Sequence, residues 1–104
     1  MATQDPQGPY TFKVLTESGA VTTAGVGGYV KAFGLTVTTN AGTAQLFDGT
    51  GSGTAGPELK LDGATANSSI SSGDIGPVRF ETDIYLTLSG TGAEGWVIYN
   101  EDNS

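Results

Sequence analysis

Along most of this chain apolar residues alternate with polar or small ones, the period-two signature of β-strands, and no stretch carries a helical period. In Tyr10–Leu15, the residues Tyr10, Phe12 and Val14 share one face and Thr11 and Lys13 the other. Ala20–Ala24 reads as a short second strand. It is stopped at Gly25-Val26-Gly27-Gly28, where glycine offers little to pack and a loop or bulge is expected. Tyr29–Thr39 is the longest strand, with larger groups at odd positions and smaller ones at even positions, so both faces are partly apolar and a central place in a sheet follows. The turn Asn40-Ala41-Gly42 then brings Thr43–Asp48 back as its hairpin partner.

Four further strands follow: Glu58–Leu61, Pro77–Thr82, Asp83–Ser89 and Glu94–Asn100, with a bend near Asp83. Their alternation assigns Ile84, Leu86 and Trp96 to the core. Gly49–Gly56 is a low-complexity loop. Ala64–Gly76, small and polar, reads as a long surface loop with Ile70 and Ile75 as pins, and loops of that length often contact a partner. About eight short strands, with turn signals roughly every 8–12 residues, predict an all-β fold: an antiparallel β-sandwich, jelly-roll-like. Residues 10–101 form this single domain. Residues 1–9 read as a flexible N-terminal arm and 102–104 as a polar tail. The arm carries Pro6 and Pro9, which lower the entropy lost when a segment orders on a partner. Pro6, Pro9, Tyr10, Ile70 and Ile75 are therefore the candidate partner contacts.

Composition narrows the possibilities. With 37% apolar and 14% charged residues, the 104-residue chain is too apolar and too weakly charged to stay disordered. Its net charge of −7 comes from 11 acids against four bases, and Lys13, Lys31, Lys60 and Arg79 are scattered. Such a surface has no basic stripe to neutralise phosphates, so no nucleic-acid partner is expected. No apolar run approaches membrane-spanning length, so no membrane partner is expected either. The start, MATQDPQGPYTF, lacks the basic and apolar regions of a secretory signal, and synthesis in a cytoplasm is the expectation.

The chain has neither His nor Cys, which removes the commonest general base, thiolate metal ligands and disulfides. Gly51-Ser52-Gly53-Thr54-Ala55-Gly56 matches G-x-G-x-x-G, but an alternating strand pattern follows it where a dinucleotide site needs a helix. Glu81 and Asp83, two apart on a strand, have the spacing of a carboxylate pair, though solvated polar positions beside a bend explain them more simply. No serine or threonine sits beside an activating base. The expectation is a non-enzymatic protein with no catalytic, cofactor or metal site. Nine aromatic residues on strands with two apolar faces leave some exposed, suited to a protein interface or, alternatively, to stacking on sugars in a carbohydrate-binding module.

From about Gly25 to Glu101 the chain resembles small all-β virion proteins of tailed bacteriophages. The likeness rests on the turn Asn40-Ala41-Gly42-Thr43, the strand end Leu46-Phe47-Asp48-Gly49-Thr50 and the run from Phe80 through Thr82, Ile84-Tyr85-Leu86-Thr87 to Leu88-Ser89-Gly90-Thr91. The closing strand Val97-Ile98-Tyr99-Asn100-Glu101 completes it. The resemblance implies a capsid decoration or cement protein, made in the host cytoplasm and carried on the capsid exterior. Its implied partners are the major capsid protein and copies of itself, with a trimer favoured because three-fold positions are common docking sites on icosahedral shells. Another virion component of neck, tail or head fibre is the related alternative.

Overall fold

The alternating runs pair into ladders, and their inner faces set which sheet each run joins. The computed structural model of the chain describes residues 9–23, 25–38, 42–49, 59–64, 68–90 and 92–102. These contain β1 (Thr11–Leu15), β2 (Gly19–Ala20), β3 (Gly28–Val37), β4 (Gly42–Asp48), β5 (Leu59–Ala64), β6 (Ser68–Ser71), β7 (Val78–Phe80), β8 (Ile84–Ser89) and β9 (Glu94–Glu101). Among the described residues there is no helix, and so none that is long and apolar enough to cross a membrane.

The strands form two antiparallel sheets. One runs β1-β9-β3-β6, with β7 also on β3; the other runs β2-β8-β4-β5. β6 covers Gly34–Val37 of β3 and β7 covers Gly28–Val30. Between them the Ser72 and Ile75 N–H groups donate to the Phe33 and Lys31 carbonyls. β6 and β7 thus act as one interrupted edge strand. With those two taken together, the strand order is that of a jelly roll, two interlocked Greek keys closed into a sandwich.

The hairpin expected between Tyr29–Thr39 and Thr43–Asp48 does not form. β3 and β4 lie in opposite sheets, and β4 pairs with β5 and β8 instead. Each strand has an apolar inner row: Val30, Phe33, Leu35 and Val37 on β3, Ala44 and Leu46 on β4. Stacking the rows face to face buries both, which a shared sheet would not do. The 64–76 segment is also not a single loop, since β6 lies within it. Ile70, opposite Leu35, turns inward, and Ile70 and Ile75 both pack against the core.

Ile84 and Leu86 are fully buried as the pattern predicts, but Trp96 is not in the core. On β9 it is Val97 that is buried and Tyr99 that packs against the core, so Trp96 and Ile98 face outward. Both parities of β9 carry large apolar groups, and the strand alone does not decide which is inside. β1 shows the same inversion. Phe12 and Val14 face out, while Leu15 packs against the core and Lys13 reaches across to the second sheet, its Nζ donating to the carbonyls of Ala20 (3.4 Å) and Val21 (3.2 Å). An inward lysine on an edge strand ties down the seam between β1 and β2.

The fold also extends one residue further than the composition suggests. Asp102, read as the start of a polar tail, is buried, and its N–H donates to Gly27 O at 2.9 Å. Its carboxylate accepts both Arg79 terminal nitrogens, at 2.8 and 2.7 Å. That bidentate bond holds Arg79 above the ordinary guanidinium range against the opposing effect of burial. Tyr99 is likewise raised, by burial first and by the Glu101 charge second. The folded state therefore keeps a proton that the unfolded state releases near pH 10, and stability falls as pH rises from there through the folded pKa. Thermal unfolding between pH 9 and 11 is expected to show a shallower alkaline decline in Tyr99→Phe than in wild type; parallel curves would show that Tyr99 contributes nothing to it.

Candidate functional site

The registers of β1, β9 and β3 assemble one continuous surface. Phe12 stands opposite Ile98 and Val14 opposite Trp96; Ile98 in turn faces Ala32 and Trp96 faces Gly34. Cross-strand partners share a face, so Phe12, Val14, Trp96, Ile98 and Ala32 lie together on the outer side of the five-stranded sheet. Phe12 and Val14 are 59% and 51% exposed, unusual for side chains of this size. The Phe12 and Trp96 rings stack with centroids 5.8 Å apart and planes 28° from parallel.

Gly34 explains how Trp96 is held. A Cβ there would collide with the Cε2, Nε1 and Cζ2 atoms of the indole. The ring therefore lies across the backbone of β3, in space that only glycine leaves open. At one end of the face a bulge between Val30 and Ala32 carries Lys31, whose Nζ lies 5.4 Å from the centre of the Tyr10 ring. At the other end stands exposed Glu94, opposite Thr36, whose hydroxyl hydrogen-bonds the Ser69 hydroxyl at 2.9 Å. The surface is an apolar centre with Lys31 and, farther out, Arg79 paired with Asp102 at one end of the strands and Glu94 at the other.

Comparison with family models, curated proteins and solved structures finds no match.

Of the candidate contacts, Tyr10 sits half-exposed at the rim of this face and Pro9 is exposed beside it. Pro6 and the rest of residues 1–8 lie outside the described residues. Ile70 and Ile75 are half-buried and pack against the core. The G-x-G-x-x-G segment also lies outside the described residues; β5, which follows it, is a strand.

The Glu81–Asp83 pair separates into different roles. Glu81 is exposed and lies 3.5 Å from the Arg79 Nε. Asp83 is not the solvated residue expected: it is 1% exposed, and its carboxylate accepts the Gly49 N–H at 3.0 Å and the Gly25 N–H at 3.3 Å. Among the described residues, no three His, Cys, Asp or Glu are grouped to hold a metal.

The apolar face itself escaped the sequence pattern, which placed Trp96 in the core. The one available signal was Gly34 in the middle of the longest strand, a position that marks close approach of another group. Chemically the face offers dispersion contact, aromatic stacking and two opposite charges. These are the means of binding rather than of bond-breaking.

Proposed function

We propose that this chain is a non-enzymatic structural protein of a tailed-phage virion, a capsid decoration protein that binds the lattice of the major capsid protein from outside. The observation that supports this best is the contiguous exposed face of Phe12, Val14, Trp96 and Ile98 on a rigid jelly roll. A contiguous exposed apolar patch is the kind of surface that protein contacts use. The sequence resemblance supplies the virion context. The net charge of −7 suits a protein that stays soluble in the host cytoplasm and does not bind the packaged nucleic acid. Repetition makes modest contacts sufficient, because copies that engage a lattice and one another gain effective concentration.

The test is co-sedimentation of the purified protein with capsids assembled from the major capsid protein encoded in the same genome. Saturation at a fixed stoichiometry per capsid subunit is expected. Absence from capsids together with presence on necks or tails would move the protein to another virion component, and absence from all of them would overturn the reading. A second reading, a carbohydrate-binding module, draws on the half-exposed indole of Trp96 lying across Gly34 beside Phe12. Glycan-array binding that is lost in Trp96→Ala would support it.

A further inference from the structure

We infer that the outer face of the five-stranded sheet is a two-fold contact with a second copy of this chain. The inference goes beyond attachment to a capsid and stands on the face alone. Its two central rows are Phe12–Ile98–Ala32 and Val14–Trp96–Gly34. One step beyond the second row lies Glu94, and beyond the first lies Lys31 with Tyr10. The charges that flank the apolar rows, Lys31 and Glu94, are therefore antisymmetric about their centre, while Arg79, farther out beyond Lys31, is paired with Asp102 and Glu81.

That arrangement is complementary to itself. Consider a two-fold axis in the plane of the face, running across the strands between the two central rows. It reverses the strands of the second copy. Phe12 of each copy then meets the Val14–Trp96 row of the other, and each Lys31 meets the other copy's Glu94. An axis parallel to the strands would instead keep both cations at the same end of the contact, which charge repulsion opposes. An isologous contact needs one patch that fits its own rotated image, and this patch meets that requirement in both its apolar rows and its charges. Two such sheets pack face to face at about 10 Å, as the two sheets within each copy do. Phe12 and Val14 lose their exposure there, while the rest of the acidic surface disfavours other approaches. The two-fold contact replaces the trimer implied by the resemblance, because a three-fold ring needs two different patches and this face needs only itself.

The experiment is sedimentation equilibrium on the full chain. Wild type is expected to form a dimer. Its only tryptophan, Trp96, should shift its fluorescence to shorter wavelength as concentration rises. Lys31→Glu and Glu94→Lys, each placing like charges together twice in the contact, should each weaken dimerisation by about tenfold or more at low salt. Mixing the two variants one to one should restore a dimer, because every charged pair is then opposite in sign again. Such rescue cannot come from misfolded protein. Phe12→Ser should give a folded monomer. A wild type that stays monomeric or forms trimers, single variants that dimerise like wild type, or a mixture that stays monomeric would each overturn the inference. So would a monomer whose Trp96 fluorescence responds to a soluble β-glucan. A monomeric protein that still binds capsids would overturn the dimer and leave the decoration reading standing, and a dimer that ignores them would do the converse.

Discussion

Leu86→Ala is expected to lower the unfolding free energy by about 2–5 kcal/mol. Leu86 is 0% exposed and lies on β8, between β2 and β4. Its side chain reaches across the sandwich to β9 at Gly95. A Cβ at that glycine would stand 2.7 Å from Leu86 Cδ2 and 2.9 Å from Leu88 Cδ2. The leucines occupy the room that the absent side chain leaves, so shortening Leu86 opens a cavity that β9 has nothing to fill. Gly95→Ala should also destabilise, by about 1–3 kcal/mol, because it overpacks the same spot. The double variant is expected to be more stable than the sum of the two losses implies, since the new methyl group enters the new space. Urea denaturation of the four proteins measures this. Strict additivity would mean that the two positions do not share a space.

Asp83→Ala is expected to cost about 3 kcal/mol, through the loops and not through the core. Its carboxylate ties Gly25, ahead of β3, and Gly49, after β4, to the bend between β7 and β8. The ties beside it point the same way. Asp48 accepts the Glu81 and Thr82 N–H groups at 2.8 and 2.7 Å, and the Thr22 hydroxyl accepts the Ile84 N–H at 3.0 Å. Hydrogen bonds to a charged acceptor contribute about 1.5–3 kcal/mol each, and the Gly25 and Gly49 amides lose theirs in the alanine variant. Asp83→Asn keeps one acceptor oxygen and should recover part of the loss. Thermal unfolding gives the size of the effect, and amide exchange locates it. Unchanged protection of the Gly25 and Gly49 amides would show that the carboxylate does not hold those loops.

What could be read from the sequence was the part governed by local period. Ile84 and Leu86 sit on a strand with a strong alternation, and their burial follows from it. The error at β3 and β4 has a different origin. Period two specifies a strand and its faces but carries no information on whether the next strand joins the same sheet or the facing one. Trp96 failed for a related reason. Val97 and Tyr99 compete with Trp96 and Ile98 for the inside, and the choice is made by β3, where Phe33 and Leu35 demand the inner side and Gly34 leaves a seat outside. Asp83 was misread because a carboxylate that caps backbone amides looks, in sequence, like any polar residue at a bend. β6 was hidden by composition: its serines have weak strand preference, and pairing with β3 supplies what the residues themselves lack.

The lysine that β1 turns inward has a consequence for behaviour at high concentration. In a concentrated protein an open sheet edge is a starting point for fibres. Because Lys13 is spent on the carbonyls of Ala20 and Val21, another strand joining at β1 would have to settle against a sheet margin clipped to its neighbour layer. Edge-to-edge growth is discouraged there. Concentrated solutions of the protein are therefore expected to stay free of fibres seeded at β1.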